Sequence, residues 1–98
     1  MKKKQTIGVV AISLNEEKDM HGFLEHLSSW IDEIVIVDSG STDKTLQILK
    51  NSEFNIKILN SNLNKAKGYA GLRNLGIKAC GTDWIINMDI DERITIDL

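Results

Sequence analysis

Proline is absent from the 98 residues, and that absence carries no functional reading. Other shortages do exclude things. A single cysteine, Cys80, rules out an intramolecular disulfide and suits a reducing compartment. Beside Ala79, near the end of an expected helix, it reads as a small buried side chain. No apolar run approaches the roughly 18 residues that a membrane span requires. The N-terminal lysines are followed by no uninterrupted apolar core and no small-residue cleavage site, so no signal peptide is read and the cytoplasm is the expected location. Twelve basic against 14 acidic residues leave a net charge of −2, which gives no basis for broad attraction to nucleic acid. Lys2-Lys3-Lys4 reads as part of a solvated basic tail, residues 1–5.

What is present is the composition of one small soluble domain, with 42% hydrophobic and 27% charged residues. Residues 6–98 are expected to form it. Thr6 to Leu14 is β-branched and apolar on both faces, as a strand of a parallel sheet is when helices cover both of its sides. Met20, Phe23, Leu24, Leu27 and Ile31 then make one helical stripe, with Trp30 closing the helix. His21 and His26, five apart, share no helical face and read as surface residues. Glu33 to Asp38 is a second strand. Ser41 or Thr42 is the expected cap of the helix that carries Leu46 and Leu49, and Asp43 suits its positive end. Asn55 to Asn60 is a third strand, with the partial alternation of an edge. Ser61 to Lys67 reads as a loop. A helix from Gly68 to about Cys80 carries Tyr69, Leu72 and Gly76 on one stripe, with Ala79 or Cys80 completing it, and Gly81 ends it. Trp84 to Met88 is the fourth strand. This alternation predicts an α/β fold with a mostly parallel sheet and right-handed crossovers.

Ligands of such sheets bind beyond the carboxyl ends of the strands. Here those ends carry Asn15-Glu16-Glu17, Asp38, and Asp89 with Asp91. In extended backbone Asp89 and Asp91 face the same way, about 7 Å apart at the α-carbons. Their repulsion and desolvation are costs that a divalent cation relieves. Glu92 falls on the opposite face and is not read as a ligand. The first turn lacks a glycine fingerprint and holds Glu16 and Glu17 where a dinucleotide's phosphates need amides, which argues against a dinucleotide-binding dehydrogenase. No lysine-bearing phosphate loop is present either. An anionic ligand is then held through a metal, and Mg²⁺ or Mn²⁺ suits oxygen donors.

Four pieces in order, Asn15-Glu16-Glu17, Asp38 to Thr45, Arg73-Asn74-Leu75-Gly76 and Asp89 to Arg93, resemble the nucleotide-sugar half of family 2 glycosyltransferases. The bacterial enzymes that build lipopolysaccharide core and other surface glycans are the nearest likeness. The acid-x-acid piece alone is weak; the four together are specific. The resemblance implies a glycosyltransferase A-type sheet of four strands in order 3-2-1-4, with helices on both faces. It implies an inverting transfer from a nucleotide-sugar, commonly UDP-linked, to an acceptor that a lipid can carry, which leaves room for a membrane-peripheral location. Asp38 would bond the base, and Ser13, Leu14 and Asn15 with Glu17 would line the nucleotide pocket. Arg73 would reach the nucleotide, Asp89 the ribose or the metal, and Asp91 the metal. The sequence departs from the family at Leu14, where tyrosine is common. In the family the acceptor half and the catalytic base follow the acid motif, so a donor-binding half is expected, with its base beyond Leu98 and no transfer by this chain alone. The edge strand 84–90 is expected to support self-association. Two readings of other classes stand beside this one. A metal-dependent receiver-like signalling domain lacks its phosphorylatable acid, since the third strand ends in Asn60-Ser61-Asn62. A structural or interaction domain would use the acids only in turns.

Overall fold

The computed structural model describes residues 4–27 and 29–94. Strands β1 (Ile7–Ser13), β2 (Glu33–Asp38), β3 (Ile56–Asn60) and β4 (Trp84–Asp89) alternate with helices α1 (Glu17–Leu27), α2 (Thr45–Lys50), α3 (Leu63–Ala66) and α4 (Tyr69–Ala79). The strands form one sheet in the order β3-β2-β1-β4, all pairs parallel, as the resemblance implied. Val9 is level with Ile34 on one side and Ile86 on the other, so β1 is central, and it is apolar until Ser13, which lies level with Asp38.

The two faces of the sheet are set by alternation along each strand. Val9, Ala11, Ile34, Ile36, Met88 and Ile90 face α1 and α2, where Met20, Phe23, Leu24, Leu27 and Leu49 complete the main core. Val10, Val35 and Cys80 belong to a smaller cluster on the α4 side. Cys80 is buried, as its sequence context indicated. The α4 face is thin because a backbone meets the sheet directly. A β-carbon on Gly76 would lie 2.4 Å from Val10 Cγ1 and 3.1 Å from Val37 Cγ2. Gly76→Ala is therefore expected to lower stability by about 1–3 kcal/mol through overpacking, seen as an earlier midpoint in urea.

Several element ends differ from the sequence reading. α1 stops at Leu27, so Ile31 and the half-buried Trp30 lie beyond the helix yet still pack on the core. Asp32 draws the chain out of the helix: its N–H donates to Ile7 O (2.8 Å) and its carboxylate accepts from Ile7 N (2.8 Å). α2 starts at Thr45 and is not capped by Ser41 or Thr42. Asp43 Oδ1 accepts the Thr45 N–H instead, while the Ser41 hydroxyl bonds Asp38. The stretch expected to be loop holds the short α3. On α4, Leu72 and Gly76 are buried, but Tyr69 at the first turn is 60% exposed. Of the basic tail, Lys4 and Gln5 are described and both are exposed. Residues 95–98, expected to hold no catalytic base, lie outside the described residues.

Candidate functional site

Asp38 closes β2 and is the most buried acid at the rim, with 1% of its surface exposed. Four donors hold its carboxylate. Oδ1 accepts from the hydroxyls of Ser13 (2.7 Å) and Ser41 (2.6 Å); Oδ2 accepts from the amides of Gly40 (3.1 Å) and Ser41 (2.8 Å). Gly40 sits at φ +113°, a value that favours glycine, and this lets the chain curl back onto Oδ2. Burial alone would push the Asp38 carboxyl up. The Ser41 and Ser13 hydroxyls and the Ser41 and Gly40 amides outweigh it and hold the group below the ordinary carboxylate value.

The loop after β1 is fastened to the loop after β2. Asn15 takes a left-handed conformation, φ 53°, and its Oδ1 accepts from the amides of Thr42 (2.8 Å) and Asp43 (3.3 Å). The Asn15 N–H donates to Ser41 Oγ, the Glu16 N–H to Thr45 Oγ1 and the Glu17 N–H to Asp43 Oδ2. Leu14 is 44% exposed beside them. The rim thus has a rigid floor built from backbone amides and short polar side chains.

Two recesses flank that floor. One, of about 290 Å³, is lined by Asp38, Ser39, Gly40, Ser41 and Asn60 to Asn62, with Lys65 at its margin. The other, of about 370 Å³, is lined by Val10, Ala11, Ile12, Arg73, Asn87, Met88, Asp89 and Glu92. Asp38 belongs to the first, and Arg73 and Asp89 belong to the second; Ser13 is buried and bonded to Asp38.

The acid pair is not on an extended strand. β4 ends at Asp89 and the chain turns at Ile90 and Asp91. The Glu92 N–H donates to Asp89 O (2.9 Å), and the Asp89 N–H donates to Glu92 Oε1 (2.7 Å). Ile90, 1% exposed, anchors the turn in the main core. Glu92 therefore comes back to Asp89 instead of facing away from it. The signal for this was an acid three residues after a strand-end acid, the spacing of a reciprocal cap. Ser41 and Thr45, which tie the two loops, were also not singled out as site residues.

Glu16 reports the charge on the rim. Partial burial, then the charges of Asp19, Asp91, Asp43 and Asp89, push its carboxyl above the ordinary value. A raised native value means that the ionised group opposes folding, and that opposition fades as pH falls through the raised value. Glu16→Gln is therefore expected to raise the melting temperature at neutral pH, with a gain that shrinks in added salt.

Among the described residues no group of three or more histidine, cysteine or acidic side chains is arranged to hold a metal. Asp89 and Asp91 are two exposed carboxylates beside an electronegative neighbourhood. That donor set does not make an all-protein cage, but it fits Mg²⁺ or Mn²⁺, which take one or two carboxylates and complete their shell from phosphates and solvent.

The sequence profile described as glycosyl transferase family 2 matches residues 8–98. The chain belongs to that family. Among its relatives, a lipopolysaccharide core biosynthesis glycosyltransferase, LpsC of Rhizobium meliloti, is 34% identical over 94 residues, covering 93% of this chain and 33% of LpsC. A glycosyltransferase of Rickettsia typhi is 31% identical over 92 residues, covering 94% of this chain and 30% of its own length. The chain thus spans about a third of the length of these curated glycosyltransferases. Among solved structures, S. aureus TarS in complex with UDP superposes with a TM-score of 0.75 at 27% identity, over 88% of this chain and 27% of that one. Glucosyl-3-phosphoglycerate synthase of Mycobacterium tuberculosis, in complex with Mn²⁺, UDP and glucosyl-3-phosphoglycerate, superposes with a TM-score of 0.64 at 25% identity, over 91% and 36% of the two chains.

Proposed function

We propose that this family 2 chain is the donor-binding part of an inverting glycosyltransferase, taking a UDP-linked sugar with Mn²⁺ or Mg²⁺ in the synthesis of a bacterial surface glycan. One observation carries the reading. A rigid polar floor around Asp38 and an acid-bearing turn at Asp89 and Asp91 lie on one rim of the sheet, with Arg73 lining the recess between α4 and β4.

The residues divide the work by chemistry. The base seats beside Asp38. Oδ2 is held by fixed amides, while Oδ1 is held by two hydroxyls that rotate, so Oδ1 is the atom a base N–H reaches. Ser13, Leu14, Asn15 and Glu17 border base and ribose, with Leu14 supplying an aliphatic side chain. Arg73 offers a guanidinium to the diphosphate, which it suits as a forked donor. Asp89 faces the ribose side, and Asp91 holds the cation. When bound, the metal supplies Lewis-acid stabilisation of the charge that grows on the departing diphosphate. In-line displacement by an acceptor hydroxyl, deprotonated by a carboxylate, gives inversion.

Calorimetry tests this with a panel of nucleoside diphosphates, each with and without Mn²⁺. Heat with UDP that requires the metal is expected. Silence across the panel, or binding indifferent to metal, contradicts the reading.

A further inference from the structure

The acids at the rim stand on a turn that its own Asp89–Glu92 hydrogen bonds close. Its outer edge is tied to α1 by a residue with no part in the donor chemistry. Arg93 Nη1 donates to Ile90 O (2.7 Å) and to Glu92 O (2.8 Å), while Nη2 donates to Asp19 O in α1 (3.3 Å). One guanidinium thus joins two carbonyls of the acidic turn to the first turns of the helix. The geometry needs a bare helix surface. A β-carbon on Gly22 would lie 3.1 Å from Arg93 Nη2, tighter than ordinary contact. One residue on, the Ile94 N–H donates to His26 Nε2 (3.1 Å), and His26 Nδ1 donates to Phe23 O (2.6 Å), so the same helix holds the chain a second time.

We propose that Arg93 is a positioning residue: laid across Gly22 of α1, its guanidinium fixes the Asp89–Glu92 turn in the shape that presents Asp89 and Asp91 to a cation-bound nucleoside diphosphate. This rests on the donor-site reading above. The fork is essential to the role. Lysine carries the same charge but gathers its three donors on one atom at the end of a flexible stem, so it does not reproduce the fork that reaches Ile90, Glu92 and Asp19 from separate nitrogens. Glycine at an exposed helical position is a cost to α1, since alanine there favours the helix. Gly22 thus weakens α1 at the point where it leaves room for the guanidinium.

The test compares the chain with Arg93→Ala, Arg93→Lys and Gly22→Ala, reading amide exchange by NMR and Mn²⁺–UDP affinity by calorimetry. In both Arg93 variants the Asp89 and Glu92 amides are expected to exchange about tenfold faster, with β1 and β2 amides unchanged, and affinity is expected to fall about tenfold, as when a residue supporting a metal ligand is lost. Gly22→Ala is expected to raise the melting temperature and yet weaken binding, a combination that a purely structural contact does not give. It also keeps the test open if Arg93→Ala fails to fold. Unchanged exchange at Asp89 and Glu92 overturns the assignment, as does an Arg93→Lys variant that binds like the parent, since charge alone would then suffice. If the parent itself shows no metal-dependent UDP binding, the donor-site reading falls and the positioning role falls with it. Intact parent binding with unaffected variants overturns the positioning role alone.

Discussion

Replacing Asp91 with alanine is expected to remove metal-dependent nucleotide binding while leaving the fold as stable as before, or more so. The two effects part company because of where Asp91 sits. Its side chain is exposed on the turn after β4, and no hydrogen bond from it to another described residue holds the fold together. Its charge instead adds to the repulsion that raises the Glu16 carboxyl. Removing it relieves that repulsion. Binding responds in the opposite sense. Residues that merely support a metal ligand cost about ten- to a hundredfold in metal affinity when lost. A direct ligand from so small a carboxylate set is expected to exceed the upper end of that range. Calorimetric titration with Mn²⁺ and UDP, alongside a thermal melt, reads both quantities. Lost stability together with retained binding would reassign Asp91 to structure.

The second large effect belongs to Asp38, where stability falls first. Asp38→Ala leaves the buried Ser13 hydroxyl, the half-buried Ser41 hydroxyl and amide, and the Gly40 amide without their shared acceptor. A hydrogen bond to a charged group contributes about 1.5–3 kcal/mol, so losing the acceptor shared by the Ser13 and Ser41 hydroxyls is expected to cost about 3–5 kcal/mol. A domain of this size has a total stability of about 5–15 kcal/mol. The melting temperature is expected to drop by more than about 10 °C. Asp38→Asn does little better, because its amide group points donors at donors. The pH dependence has a definite sign. The native carboxyl lies below its unfolded value, so its contribution is fully present above the unfolded value of about 3.9 and is lost as pH falls through the lower native value. The parent should lose stability in that acid window, and the variants should show a flatter acid limb there. Chemical denaturation at a series of pH values decides it.

β1 and β2 were legible because they are mainly apolar on both faces and bounded by polar turns, as strands of a covered parallel sheet are, and β3 was legible by the partial alternation of an edge. The α1 stripe from Met20 to Leu27 was legible for the same reason: spacing and burial agree. What failed was local geometry set by distant partners. Ile31 continues the α1 period, but Asp32 is already bonded to Ile7 in β1. Ser41 looks like a cap in sequence, but the buried carboxylate three residues earlier takes its hydroxyl. Asp89 and Asp91 were placed on one rim correctly, yet their presentation depends on Glu92 and on Arg93 reaching Asp19, which lies 74 positions away. No periodicity announces a contact of that kind. Asp38 shows both sides of the matter: the sequence places it at the strand end, and only the structure reveals how many donors it gathers.

A donor site here requires the two loops and the acidic turn to act as one. Paramagnetic Mn²⁺, added to the isotope-labelled chain with and without UDP, tests that at residue resolution. With UDP present, broadening is expected to centre on Asp89 to Glu92 and to reach the rim loops around Asn15 and Gly40, while β3 and the far end of the sheet keep their signals. Broadening that ignores UDP, or that centres away from the Asp89–Glu92 turn, would contradict the donor site.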